Sequence, residues 1–186
     1  MGPGIKEHSF FKDCSKKIEQ MCRKALKEKY QEYEGQDLTL DNFIDDCHYR
    51  LLGELERMNE RGFFYDVYLY KTIFDYAVSR NCPIDLCGDI DDSYIAYLMG
   101  MTEADPFQWL LPSPMPFKLL PDGRANMFIV TYGDFKSELT EYFRGIFGRD
   151  NVTEIEDYII LGKTEALSVC NNKCKWSGKT IPAIIL

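Results

Sequence analysis

An acidic turn ahead of an apolar helix limits the folds that are open to this chain of 186 residues. A helix cannot continue through Pro83, and the turn that follows contains three aspartates: Asp89, Asp91 and Asp92. Asp92 or Ser93 is a good N-cap residue, which predicts a short helix over 93–100. A turn in this position binds phosphate when it is rich in glycine and serine, through free N–H groups and the positive end of the helix dipole. Because three carboxylates repel phosphate, the residues alone indicate a solvated acidic turn that caps the helix.

The N-terminal part of the chain has the 3.6-residue periodicity of amphipathic helices. One helix is predicted over 13–33, and a second from Thr39, a suitable N-cap, to about Arg61. A third is predicted at about 66–80. Their core-facing stripes consist of Ile18, Met21, Cys22, Ala25, Leu26 and Lys29, then Phe43, Ile44, Cys47, Leu51, Leu55 and Met58, then Tyr70, Ile73, Phe74 and Ala77. Residues 13–80 are therefore predicted to be a helical part.

The second half of the chain adds strands. Residues 126–132 are rich in β-branched and aromatic side chains, which suits a strand, and 134–147 follow as an amphipathic helix. Residues 158–161 are predicted to be a buried strand. The prediction is an α/β (α+β) fold in a single domain over 1–186, with a sheet-containing part at 83–165. The tail at 166–186 ends in apolar residues that suit an added edge strand or a partner-binding segment.

Five segments of the chain resemble, in order and spacing, the palm of bacterial C-family DNA polymerases, in particular the PolC type of the DNA polymerase III alpha subunit. The segments are 17–30, 50–63, 68–77, 83–106 and 147–152. The segment that holds the acidic turn keeps the family's frame S-x-I-A-Y-L-x-G-x-T-E-x-D-P, and the last segment resembles Y-G-R-D-N-V. The resemblance covers roughly residues 16–165. It implies a small mixed sheet of nucleotidyltransferase palm type flanked by helices, and a connection with DNA replication.

The phosphate-binding loop of that family is altered in this chain. Gly88 and Ser93 match the family's loop, whereas Cys87 replaces its arginine. A loop serine, the next glycine and the next serine of the family are replaced by Asp89, Asp91 and Asp92. The family also has a lysine after G-R-D-N-V that would meet the triphosphate, and Lys163 lies close to that register. The resemblance therefore makes Gly88, Ser93 and Lys163 the candidate nucleotide-binding residues.

The catalytic metal site of the family is also altered. Its aspartate pair lies on a strand that reads P-D-I-D-x-x-F, and the corresponding positions here are Met127 and Ile129. Two-metal nucleotidyl transfer needs carboxylates that bridge both ions. A thioether and an aliphatic side chain cannot hold Mg²⁺, which prefers oxygen ligands. The resemblance thus predicts no catalytic residues, no metal and no cofactor, and the chain is expected to be a catalytically inactive, palm-like interaction module.

Two alternatives remain open from the sequence. In the first, the chain is a nucleotide- or DNA-binding nucleotidyltransferase that binds Mg²⁺ through relocated carboxylates. The residues proposed for that role are Asp85, Asp89, Asp91 and Asp92, together with another acid such as Asp134. In the second, the chain is an accessory fragment that completes a split polymerase in trans, although the missing aspartates argue against its supplying the active site.

Charge and composition favour a protein partner over nucleic acid. The formal net charge is −8, whereas a module that binds duplex DNA usually presents a basic face. The first helix is the candidate for a local basic patch, but its lysines alternate with glutamates, which is more typical of a solvated helix face. The seven cysteines include no C-x-x-C pair and favour a reducing compartment. With neither a signal peptide nor an apolar run long enough to cross a bilayer, the expected location is cytoplasmic and no membrane partner is predicted.

Overall fold

The computed structural model describes residues 7–33, 40–88, 90, 92–111, 127–131 and 135–152. Its helices are α1 (Cys14–Tyr33), α2 (Leu40–Arg61), α3 (Phe64–Ser79), α4 (Tyr94–Leu98) and α5 (Phe135–Phe147), and its strands are β1 (Ile84–Gly88) and β2 (Met127–Thr131). Short 3-10 helices lie at Ser9–Phe11 and Arg149–Asn151. The described residues combine helices with a small antiparallel sheet, which confirms the predicted α+β class.

The predicted elements agree with the observed ones to within two residues at the ends that the structure describes. This holds for the helices at 13–33, 66–80, 93–100 and 134–147 and for the strand at 126–132. The proposed N-cap Thr39, the predicted strand at 158–161 and the tail at 166–186 lie outside the described residues.

Strand β1 was not predicted from the sequence. It pairs with β2 in antiparallel register, with Ile84 opposite Thr131 and Leu86 opposite Ile129. Its signal is weak because it is only five residues long, and one of these, Asp85, is exposed. The remaining cue was the alternation of Ile84 and Leu86 across that aspartate, which is typical of a strand with one buried face. The omission matters for the site, because the acidic turn begins where this strand ends.

The core forms where the stripes of α1, α2 and α3 meet. Their buried members are Ile18, Cys22 and Leu26, then Cys47, Leu51, Leu55 and Met58, then Val67, Tyr70, Ile73 and Ala77. Each large aliphatic side chain that is fully buried contributes about 1.5–3 kcal/mol relative to its exposed state. These helices pack against α4 and the sheet. The candidate site is therefore supported by the helix packing that the periodicity predicted. None of the described helices is both long enough and apolar enough to span a bilayer.

The two strands direct alternate side chains to the core. Met127, Ile129 and Thr131 of β2 are buried, and Leu86 of β1 lies opposite Ile129 on the same face. The hydroxyl of Tyr70 donates a hydrogen bond to the carbonyl of Met127 at 2.5 Å, which ties α3 to β2. Burial raises the pKa of the Tyr70 hydroxyl above its ordinary value, so this donor keeps its proton over the physiological range.

The five cysteines in the described ranges are free thiols. Cys14, Cys22 and Cys47 are buried, whereas Cys82 and Cys87 are partly exposed. Burial raises the pKa of the Cys22 thiol to about 12. A thiol that keeps its proton is a poor nucleophile, so this cysteine acts as a small apolar residue of the core.

A strained leucine ends the turn that follows Asp105. The N–H of Leu111 donates to the carbonyl of Pro106 at 2.8 Å and that of Leu110 to Phe107 at 3.3 Å, the pattern of a Schellman motif. Its left-handed position is normally glycine, but here Leu110 occupies it with φ 51° and is 89% exposed. The exposed side chain gains little from burial, so the backbone strain has no local compensation.

We expect Leu110→Gly to stabilise the protein by about 0.5–1 kcal/mol. Leucine in the left-handed region costs roughly 1–2 kcal/mol, and the extra unfolded-state entropy of glycine offsets about 0.5–1 kcal/mol of the relief. Urea unfolding measures the change as a shift in midpoint. Leu110→Ala is the matched control, since it keeps Cβ and with it the strain. A glycine variant less stable than the alanine variant would contradict this account.

Candidate functional site

The acidic turn joins β1 to α4. Strand β1 ends at Gly88, whose φ of 98° favours glycine, and Ile90 is buried within the turn. Asp92 is exposed, whereas Ser93 is fully buried and caps α4. The Ser93 hydroxyl accepts hydrogen bonds from the N–H groups of Ile95 at 3.1 Å and Ala96 at 3.4 Å. The predicted cap is therefore present, while Asp89 and Asp91 lie outside the described residues.

A buried glutamate from α2 completes the cap of α4. Glu54 is only 2% exposed. Its carboxylate accepts hydrogen bonds from the Ser93 hydroxyl at 2.7 Å and from the N–H groups of Tyr94 and Ile95, each at 3.1 Å. The positive end of a helix dipole stabilises a carboxylate in this position. The start of α4 is thus satisfied by an internal anion.

Arg50 neutralises that carboxylate and holds both ends of the segment that contains α4. Its Nε donates to Oε1 of Glu54 at 3.1 Å, one turn along α2. Its two terminal nitrogens donate to the carbonyl of Leu111 at 2.8 Å and to that of Asp92 at 3.2 Å. The Arg50 side chain is 9% exposed, so the ion pair lies largely away from water. We refer to Arg50, Glu54 and Ser93 as the clamp.

The clamp uses the groups that a phosphate would need at the start of α4. The Ser93 hydroxyl and the first N–H groups of this short helix already have protein partners. A phosphate placed there would have to displace the Glu54 carboxylate, which Arg50 holds. Gly88 lies at the end of β1, apart from these bonds, and Lys163 lies outside the described residues. Nucleotide binding by Gly88, Ser93 and Lys163 therefore stays a prediction.

Met127 and Ile129 lie in the hydrophobic core. They are 4% and 2% exposed and pack with the buried side chains of the helices and of β1. A carboxylate at either position would be surrounded by apolar atoms, where ionisation is strongly disfavoured. These positions are those that the polymerase resemblance assigns to the aspartate pair.

The relocated carboxylates of the first alternative are only partly described. Asp85 and Asp92 are exposed, and Asp89, Asp91 and Asp134 lie outside the described residues. Within the described ranges, no three histidine, cysteine, aspartate or glutamate side chains are grouped so that they could hold a metal ion. The Mg²⁺ site of that alternative stays a prediction.

A second polar cluster ties α1 to the segment after α4. Lys29 contacts the Tyr97 hydroxyl and forms an ion pair with Asp105 at 3.2 Å. Burial acts to raise the pKa of Asp105, but the hydrogen bonds from the Phe107 N–H and from Lys29, with the charge of Lys29, outweigh burial and hold this pKa below its usual value. Burial alone would lower the pKa of Lys29, yet hydrogen bonds to Tyr97 and Asp105 raise it overall. A permanently charged lysine is not a nucleophile, so this cluster is a structural tie.

We expect Asp105→Asn to remove an acid-sensitive part of the stability. Because the folded pKa lies below the ordinary value of 3.8, the wild-type carboxylate stabilises the fold at neutral pH, and this contribution is lost as pH falls through the folded pKa. The difference in unfolding free energy between wild type and variant should therefore shrink below about pH 4. Urea titrations over a pH series measure it, with the exposed Asp45→Asn as control. A difference that stays constant with pH would contradict the assignment.

The basic residues of α1 are largely engaged within the protein. Arg23 pairs with Glu19 at 2.8 Å, and Lys24 with Glu28 at 3.7 Å, each one turn apart on the helix. Lys17 donates to the Tyr68 hydroxyl at 3.3 Å. Exposed pairs of this kind contribute little to stability, but they lower the local positive charge. Helix α1 therefore has the character of a solvated face with mixed charge.

Glu54 is the residue of this site that sequence reasoning missed. It lies three residues after Leu51 and four before Met58, both fully buried, and therefore on the core-facing stripe of α2. A glutamate in that position is rarely buried without a partner. Its partner was also visible in the sequence, because Arg50 precedes it at the i, i+4 spacing of helix ion pairs. A charged residue within the apolar stripe of α2 was therefore the signal that could have identified Glu54.

Comparison with known proteins gives a distant relationship. No protein-family model matches the chain. Over 110 residues, or 59% of its length, the chain is 24% identical to an error-prone DNA polymerase of Cutibacterium acnes. The matched segment spans 10% of that polymerase. The chain is thus distantly similar to a DNA polymerase, while the PolC type and the palm remain predictions from the resemblance.

Proposed function

We propose that this chain is a non-catalytic, palm-like interaction module that serves a DNA replication context and whose partner is a protein. The observation that carries the proposal is the position of Met127 and Ile129. A C-family DNA polymerase needs two metal-binding carboxylates at these positions, whereas this chain has two apolar side chains there, inside the core. Two-metal chemistry has no ligands there.

The pattern of kept and altered residues supports the same proposal. Arg50, Glu54 and Ser93 belong to the polymerase-like segments and bind one another in the clamp. Tyr97 and Asp105 belong to the same frame and both contact Lys29. The altered residue Asp92 is exposed instead. The kept residues thus maintain the fold, and the altered Asp92 lies on the surface.

Binding and primer extension on one labelled primer–template test this proposal. Fluorescence anisotropy at low salt, with and without Mg²⁺ and a deoxynucleotide, is expected to show no tightening by metal and nucleotide, and the primer is expected to stay unextended. Weak, salt-sensitive DNA binding whose affinity does not change with Mg²⁺ would leave the module non-catalytic but make DNA its partner. Binding that tightens with metal and nucleotide, together with extension, would reject the proposal and restore the relocated-carboxylate alternative.

A further inference from the structure

A groove lies between α3, β1 and the segment after α4, away from the clamp. It encloses about 560 Å³, within the roughly 300–1,000 Å³ range of ligand pockets. Its apolar wall is formed by Phe74, Val78, Ile84, Leu86 and Met101. Val78 is 57% exposed, a high value for a valine on a helix that otherwise packs against the core. Phe74 and Ile84 are partly exposed beside Val78, whereas Leu86 and Met101 are buried behind them. The exposed part of the wall can accept apolar side chains.

The groove meets β1 at the edge that faces away from β2. Three consecutive residues of β1, from Ile84 to Leu86, line it. Since consecutive side chains of a strand point to opposite faces, we infer that a cavity lined by all three lies beside the strand. No residue of β2 lines the groove, and in the described part of the chain β1 has no other strand partner. In an antiparallel ladder every second residue directs its N–H and C=O away from the paired strand, so β1 offers backbone donors and acceptors at this edge.

The charges of the groove are all negative. Asp85 on β1 and Glu103 after α4 are exposed, and the described lining contains neither lysine nor arginine. Among the described residues no cation forms an ion pair with either acid. The chain as a whole carries a net charge of −8. A ligand for this groove should therefore be positively charged where it passes the two acids.

We propose that this groove binds an extended segment of a partner protein in which apolar side chains alternate with lysine or arginine. The segment pairs through its backbone with the edge of β1 that no described strand occupies, in the manner of β-strand addition. Its apolar side chains pack on the groove wall, and its basic side chains meet Asp85 and Glu103. The inference rests on the proposed function, because it names the class of partner for the interaction role.

The probe is a fluorescein-labelled, N-acetylated peptide of eight residues in which valine alternates with lysine, titrated with the full chain at low salt. We expect saturable binding that weakens as salt is added, because exposed charge pairs are screened. A peptide in which glutamate replaces every lysine should bind at least about tenfold more weakly. A third peptide with proline in place of two central valines lacks the backbone donors and should lose most of the binding.

Variants locate the peptide on the protein. Asp85→Lys combined with Glu103→Lys is expected to weaken binding about tenfold, and Val78→Arg should weaken it by a similar factor. Both change exposed residues, so the fold should persist. Glu60→Lys, an exposed charge reversal on α2, which does not line the groove, is the matched control and should leave affinity within about twofold.

Each outcome bears on one proposal. If the lysine peptide fails to bind, binds no better than the glutamate peptide, or binds the groove variants as well as wild type, the groove proposal is overturned. The non-catalytic assignment then still stands as long as the primer stays unextended. Primer extension by a protein that also binds the lysine peptide at the groove would overturn the proposed function and leave the groove proposal intact.

Discussion

Replacing Glu54 by alanine should destabilise the protein by about 3–5 kcal/mol, the usual effect of removing one partner from a buried ion pair. The substitution leaves the Arg50 guanidinium without its carboxylate at a position that is 9% exposed. It also removes the acceptor of the Ser93 hydroxyl and of the N–H groups of Tyr94 and Ile95. Each unsatisfied buried donor costs about 1–3 kcal/mol. Such a loss is a large share of the roughly 5–15 kcal/mol of a typical domain.

Urea unfolding followed by circular dichroism measures this loss. Glu56→Ala is the matched control, because Glu56 is exposed on the same helix and its removal should change stability by less than about 0.5 kcal/mol. Should the alanine variant fail to fold, Glu54→Gln keeps the volume and one acceptor oxygen and should lose less. If Glu54→Ala unfolded at the same urea concentration as the wild type, the clamp would not be needed for the fold.

Restoring aspartate at both Met127 and Ile129 should unfold the protein rather than create a polymerase. Both positions are nearly inaccessible, at 4% and 2% exposure, and their neighbours are apolar. An unpaired carboxylate in such surroundings costs several kcal/mol, so the double variant should lose more than about 4 kcal/mol. We expect the double variant to show no cooperative thermal unfolding transition and no primer extension.

Val130→Asp is the control for that experiment. Val130 lies between the two positions on β2, is only partly buried and points to the opposite face of the sheet. Its replacement should cost about 1 kcal/mol or less. If the double aspartate variant were as stable as Val130→Asp, Met127 and Ile129 would have to face an open cleft, and a metal site there would regain support.

The helices of this fold could be predicted because their signal is local. The stripe of Cys47, Leu51, Leu55 and Met58 is visible at 3.6-residue spacing, and these side chains are buried as that spacing requires. β1 could not be found in this way. A strand is stabilised by its partner, and the partner of Ile84 is Thr131, far along the chain. No pattern within 84–88 specifies that pairing.

The cap of the site was predicted from the sequence, but neither Glu54 nor the contacts between the two were. Asp92 or Ser93 was predicted as the cap of α4, because N-cap preference depends on the local backbone, and the cap is Ser93. That its hydroxyl donates to Glu54 depends on how α2 packs against α4, which the sequence does not state. The resemblance attached a phosphate-binding role to this serine, and that role stays a prediction.

The clamp also bears on the order in which the chain can assemble. Ser93 and Glu54 are 39 residues apart, Arg50 and Leu111 are 61 apart, and Lys29 and Asp105 are 76 apart. Contacts between such distant residues require large loops to close, and their entropy must be offset before the contacts form. We therefore expect the segment from Ser93 to Leu111 to take its final position late in folding, after α1 and α2 have packed.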